Sequence, residues 1–256
     1  MSASDHDSPT RDGLKASHTS EQIRQRLNTQ PPQSYLRDFV YGAIDGAVTT
    51  FAVVSGVAGA GLSPTIVIIL GGANLVGDGF SMAAGNFLGT RSEQQLLAKL
   101  RRMEERHIEA VPQGEREEIR QIFAAQGFAG EDLERVVKVI TSDRERWVAT
   151  MLKEEHGVSP IARSAWKAAL MTLVAFLIVG AIPLLPFGFE LLAQNSIADP
   201  FRWSSIATGI AFFAVGTVKA RFVDQHWVSA GLETFSIGAA AAGLAYLVGQ
   251  WLGQLN

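Results

Sequence analysis

Cysteine is absent from this 256-residue chain. Its absence excludes a disulfide scaffold, a zinc–thiolate centre and a cysteine nucleophile. Charge is scarce: Asp, Glu, Lys and Arg make up 18% of residues, and the formal net charge is −3. So balanced a chain has no electrostatic case for nucleic-acid binding. No P-loop pattern occurs, which argues against ATP-driven pumping by this chain. No G-x-S-x-G elbow or H-E-x-x-H pair occurs either, and no other constellation looks catalytic, so an enzyme is not expected. The first residues lack the basic run and apolar core of a secretory signal. Apolar residues, by contrast, are abundant: 47% of the chain is hydrophobic, far too much for a disordered protein.

The scarce charge is unevenly spread. Residues 1–36 are polar and mixed, with Pro31-Pro32, and read as a disordered cytosolic tail holding at most a short helix from Ser20 to Leu27. From Phe39 to Leu62 the only charge is Asp45, and from Ser63 to Thr90 it is Asp78. Three later stretches are similar: Ala165–Phe189 with Lys167, Trp203–Val223 with Lys219 and Arg221, and Trp227–Leu255 with Glu233. Each is long enough to cross a bilayer, which takes about 20 residues. Arg91–Arg163 differs in kind, with thirteen basic and fourteen acidic residues at helical spacing. The fold expected is therefore all-α: an integral membrane protein with five transmembrane helices and a soluble helical insert between the second and third. The expected divisions are 37–90 for spans one and two, 91–163 for the insert and 164–256 for spans three to five.

Lys and Arg placement sets the topology. With the N-terminus inside, 21 of the 22 basic residues lie on that side and only Arg202 lies outside. The tail and the insert are then cytosolic.

Three or four helices are expected in the insert. The first runs on from span two to about Ala110. The others cover Gly114–Gln126, Glu131–Ile140 and Ser142–His156, with Gly127 and Gly157 as stops and Ser142/Glu145 as a capping box. Three i, i+3 pairs put ligand groups on single helix faces: Glu104/His107, Glu115/Glu118 and Met151/Glu154. The tight Pro112–Gly114 turn can bring two of these helices together, as in carboxylate-bearing bundles that bind divalent metals. The competing reading is a solvated face of ion pairs. Glu105, Glu109 and Glu117 are assigned to that type.

Within the spans, ionisable residues carry a functional expectation by default. Asp45 has Thr49 at i+4. Asn74, Asp78, Met82 and Asn86 are each four apart, so they form one polar stripe on span two. Its amide, carboxylate and thioether groups suit a borderline metal such as Fe²⁺ better than Mg²⁺. Hydrogen bonding between helices is the alternative use of such residues. Three small-x-x-x-small patterns, at Gly42/Gly46, Gly85/Gly89 and Gly249/Gly253, permit close helix approach. Pro183 and Pro186 are expected to kink or end span three.

These residues resemble the vacuolar iron transporter family, whose members carry ferrous iron or manganese out of the cytosol. The resemblance runs from about Arg37 to Leu252. It rests on Arg37-Asp38-Phe39-Val40-Tyr41-Gly42 with Asp45-Gly46, on Gly77 to Gly89, on Arg91-Ser92-Glu93, and on Lys167 to Pro186. It implies a homodimer in a lipid bilayer, with a path at the dimer interface lined by spans one and two. Asp45 and Met82 match its central path positions. Glu104, Glu115, Glu118, Glu154 and Met151 match its cytosolic metal ligands. The cargo implied is Fe²⁺ or Mn²⁺ exchanged for protons, with no organic cofactor. Three positions depart from the pattern: His107 and Asn86 stand where glutamates are usual, and Thr150 where plant members often have a second methionine. A bacterial cytoplasmic membrane is the expected location, ahead of a vacuolar one. A membrane-anchored metal sensor or adaptor is the competing class. The stripe on span two argues against it, because an adaptor needs no ligands at membrane depth.

Overall fold

The structure, a computed structural model, describes residues 15, 18–28, 34–193, 198–223 and 225–255. Most of the tail therefore lies outside the described residues. Within it, α1 (Ser20–Asn28) matches the short helix expected there.

From Tyr35 onward the described residues form helices joined by short turns, with no strand among them. Five are long and apolar enough to cross a membrane. They are α2 (Leu36–Gly59), α3 (Pro64–Ala110), the pair α7 (Ala165–Gly180) and α8 (Leu185–Leu192), α9 (Pro200–Val223) and α10 (Trp227–Gly253). Between α3 and α7 lie α4 (Pro112–Ala125), α5 (Gly130–Thr141) and α6 (Arg144–Glu154).

Helix α3 organises the molecule. It runs for 47 residues without interruption, because nothing between Pro64 at its first turn and Pro112 beyond its end breaks the backbone ladder. At 1.5 Å per residue it is about 70 Å long. Its first half crosses the membrane, and its second half is the first helix of the insert. Span three behaves differently. Pro183 and Pro186 lack the N–H that a continuing helix needs, so α7 stops at Gly180, a 3₁₀ turn follows at Ile182–Leu184, and α8 completes the crossing.

Glycine sets the packing of the spans. A Cβ at Gly42 or Gly46 would collide with the backbone of Thr172 or Phe176, so α2 and α7 touch main chain to main chain. Gly249 presses likewise on Gly56, which seats α10 against α2. Gly85 and Gly89 differ: a Cβ at either meets nothing within 4 Å, so that face of α3 is uncovered.

Two apolar cores result. One joins α2, α7, the α7–α8 corner and α9 around Ala43, Ala47, Val54, Ala175 and Phe212. The other fills the insert with Ile119, Val137, Ile140, Trp147 and Met151. Around the spans, large apolar residues point outward, among them Val76, Phe80, Trp166, Leu170 and Ile178. Such a surface is incompatible with water and suits lipid or another protein chain. The chain is a multi-pass membrane protein.

One local expectation is corrected. Asp143, not Ser142, caps α6: its carboxylate accepts from Arg146 N at 2.8 Å, while Ser142 Oγ donates back to Val139 O. Ser142 is still bound to the preceding helix, which leaves the next residue to take the cap.

Candidate metal centre

The insert gathers carboxylates at the corner where α3 meets α4. Helix α3 ends at Ala110, and the chain turns through Val111 into Pro112, the first residue of α4. The turn folds the i, i+3 pair of α3 onto the first turn of α4. Glu104 and Glu115 become almost fully buried, at 1% and 2% exposure. His107 Nδ1 lies 3.4 Å from Glu115 Oε1, and ligand atoms of Glu104, His107 and Glu115 all lie within 4.8 Å of one another.

A second trio shares Glu104. Helix α6 ends at Glu154, and Gly157 takes φ +65°, a left-handed conformation that favours glycine. Val158 N then closes on Leu152 O at 2.9 Å. This turn swings Glu155 and His156 back towards α3. His156 Nε2 lies 2.8 Å from Glu104 Oε1 and 3.7 Å from Glu155 Oε2. On the expected Ser142–His156 helix both residues sit in the last turn, with a cationic or capping role for His156; the structure ends α6 at Glu154, which frees them to reach Glu104. The sequence signal for this is Gly157, a stop that reverses the chain immediately after them.

The remaining insert residues sit as follows. Glu118 is exposed, and its charge acts on Glu115 and Glu155. Glu154 turns elsewhere: it accepts from Gln126 Nε2 at 3.0 Å and pairs with Lys153 Nζ at 2.8 Å. Met151 is fully buried in the apolar core beside Ile119 and Trp147. Thr150 donates its hydroxyl to Arg146 O on its own helix. Glu105, Glu109 and Glu117 meet Arg101, Arg144 and Arg120, as solvent-facing ion pairs should.

The electrostatics of the cluster are strained. Burial, then the charges of Glu118 and Glu104, push the Glu115 carboxyl up to about 7, with His107 opposing them. Burial also raises Glu155; Glu104 and Glu118 add to this, while the two histidines oppose it. Oε2 of Glu104 and Oε2 of Glu115 are buried with no hydrogen-bond partner among the described residues. Buried carboxylate oxygens without partners are costly, and a proton or a cation relieves them.

The membrane residues form a second, looser set. Asp45 is half-buried on α2, and Thr49 donates to its backbone oxygen rather than its carboxylate. Asp78 is exposed on α3, yet its charge acts on Asp45. Met82 and Asn74 are partly buried, and Asn74 Nδ2 has no partner among the described residues. Asn86 is tied into the bundle: its amide donates to Asp38 Oδ1 at 2.9 Å and to Thr172 Oγ1 at 2.7 Å. Asp38 is 4% exposed and also pairs with Arg163, the last residue but one before α7. Sequence reading quoted Asp38 only as part of a motif. Its role depends on a partner 125 positions away, which no local pattern reveals. A groove of about 440 Å³ opens beside these residues, lined by Asp38, Tyr41, Met82, Gly85 and Asn86 and reaching Glu93. Glu233 pairs with Lys219 at 3.4 Å, from α10 to α9.

Residues 36–250 match the model of the VIT family. A vacuolar iron transporter from Centaurea cyanus is 31% identical over 212 residues, covering 82% of this chain and 85% of that protein. Vacuolar iron transporter 1 of Arabidopsis thaliana is 30% identical over 212 residues, covering 82% and 83%. A vacuolar iron transporter of Toxoplasma gondii is 29% identical over 238 residues, covering 88% and 76%. A match spanning all five apolar crossings and the acidic insert leaves one conclusion: the chain belongs to the VIT family.

Proposed function

We propose that this protein is a transporter that moves a divalent transition metal, Fe²⁺ or Mn²⁺, out of the cytosol. One observation carries the reading. Glu104, buried with an oxygen unpartnered among the described residues, stands near the end of the same unbroken helix that carries Asp78 and Met82 in the membrane, and Glu115, buried likewise, lies beside it on α4. A metal sensor needs the first group but not the second. The insert collects the ion with Glu104, His107 and Glu115, joined by Glu155 and His156 and by the charge of Glu118; Met151 and Glu154, held in the apolar core and by Gln126, stand outside this set. The ion then passes to Asp45, Asp78 and Met82, with Asn74 and Asn86 along the stripe, and leaves on the far side in exchange for protons. Carboxylates suit the exchange because each holds either a proton or a metal ion.

The route is completed by a second copy of the chain. The uncovered face of α3, with Asp78, Gly85 and Gly89 outward, supports a homodimer with twofold symmetry and spans one and two at the interface. The basic-residue asymmetry favours an insert facing the cytosol, and the polar tail tilts the location towards a bacterial cytoplasmic membrane.

The test is metal flux into proteoliposomes holding the purified protein, with Fe²⁺ and Mn²⁺ in parallel, with and without a pH gradient. Gradient-dependent flux that disappears in Asp45→Ala is the expected result. Absence of flux together with tight metal binding would replace the transporter with a sensor.

A further inference from the structure

Resting on the transporter reading, the geometry narrows the cargo. Glu104 belongs to two overlapping trios, Glu104/His107/Glu115 and Glu104/Glu155/His156, each made of two carboxylates and one imidazole with ligand atoms within 4.8 Å. The nitrogen–oxygen separations fit a shared ion. Two ligands each about 2.1 Å from a metal lie about 3.0 Å apart at a right angle and about 3.4 Å apart at the tetrahedral angle. His156 Nε2 to Glu104 Oε1 is 2.8 Å, and His107 Nδ1 to Glu115 Oε1 is 3.4 Å. A plain His–carboxylate hydrogen bond explains one distance but not the rest of the site. It leaves Glu104 Oε2 and Glu115 Oε2 buried and unpartnered among the described residues, and these are the atoms a cation would satisfy. His107 belongs to one trio and His156 to the other, so each trio receives one nitrogen donor.

Nitrogen donors change which ion is preferred. Carboxylate and water suit Mn²⁺, whereas imidazole suits iron, nickel and zinc, and affinity at a mixed site rises from Mn²⁺ through Fe²⁺ to Co²⁺ and beyond. We infer that His107 and His156 are metal ligands, one in each trio, and that their nitrogens make the insert select borderline divalent ions such as Fe²⁺, Co²⁺ and Zn²⁺ over Mn²⁺.

The test uses the full-length protein in detergent. Co²⁺ binding is read from its visible absorption, and Mn²⁺ competition from the free-Mn²⁺ EPR signal. The unmodified protein should prefer Co²⁺ clearly. In the double variant His107→Glu/His156→Glu, which restores an all-oxygen site, the preference should fall by roughly 10-fold or more, within the range by which groups that tune a metal site act. The number of ions bound should stay the same. An unchanged Co²⁺/Mn²⁺ ratio at equal stoichiometry overturns the inference and leaves the transporter reading standing. If the double variant binds neither ion, His107→Glu alone decides: this side chain is half exposed and not needed for packing, so a preference unaltered by its replacement also overturns the inference. No binding of either ion by the unmodified protein overturns the trios as metal sites, and flux alone then judges transport.

Discussion

Glu104 of the insert and Asp78 of the membrane half lie along the same helix, α3, yet their surroundings differ. Glu104 and Glu115 are buried by this chain alone, and ligand atoms from three elements converge on them. Asp78 is exposed, a Cβ at Gly77, Gly85 or Gly89 would meet nothing, and Asp45 is only half-covered. The insert cluster is assembled within this one chain, whereas the membrane stripe is left open on α3. The difference shows how the physical demand varies with place. In water a metal site has to build its own shelter. Within the bilayer, a polar stripe facing lipid is costly, which is why the proposed second copy of the chain belongs over it.

The comparison breaks most sharply by separating capture from passage. Asp45→Ala should abolish flux in proteoliposomes while metal binding measured by titration calorimetry stays intact. Glu104→Gln should do the reverse: binding at the insert falls by roughly 10- to 100-fold, and flux survives at high metal concentration with a raised half-saturation. If both variants lose both properties, the two regions form one site and the contrast drawn above fails.

Glycine offers the next contrast. Leu at Gly42 should prevent stable folding, because the backbone of Thr172 already occupies that space. Leu at Gly85 should leave the folded chain intact, because a Cβ there meets nothing, but should weaken self-association. Native mass spectrometry and thermal unfolding of both variants check this. A Gly85→Leu variant that stays fully dimeric would move the dimer contact away from this face.

The buried carboxyl of Glu115 predicts a pH signature. Its pKa is raised from 4.5 to about 7 in the folded chain, so its protonated form is the one that folding favours. The corresponding stability is present below about pH 4.5 and is lost as pH rises through about 7. Metal-free protein should therefore melt at a lower temperature at pH 8 than at pH 6 in this part of the molecule. Added Mn²⁺ or Co²⁺ should reverse the loss, because the ion replaces the proton. Glu115→Gln should flatten the pH dependence, which differential scanning fluorimetry can read. For the same reason, metal binding should weaken as pH falls below about 7.

The smallest effect tests a single cap. Asp143→Ala removes the acceptor for Arg146 N and should cost about 1 kcal/mol of insert stability. Ser142→Ala should change little, because its hydroxyl only donates to an exposed carbonyl of the preceding helix. Equal effects of the two would show that the capping assignment is wrong.

Much of this structure was legible in the residues because its cues are local. Apolar runs of span length, Pro112 and Gly127 as punctuation, and the spacing of Glu104, His107 and Glu115 each act within a few positions. The residues that escaped reading depend on distant partners or on the end of a helix. Asp38 takes its meaning from Asn86 and Arg163, and Glu155 and His156 take theirs from the reversal at Gly157. Asn86 itself fits the polar stripe by spacing, while its hydrogen bonds run to α2 and α7.

By itself the sequence determined the helical class, the five crossings, the charged insert and the side on which its basic residues gather. Those follow from transfer free energy and backbone periodicity, which composition and spacing encode directly. Tertiary structure alone decided which carboxylates lose their water. Burial of Glu104 and Glu115, the turn of Glu154 towards Gln126 and the approach of His156 to Glu104 depend on how α3, α4 and α6 meet. Desolvation is a property of that meeting, and no single helix carries it.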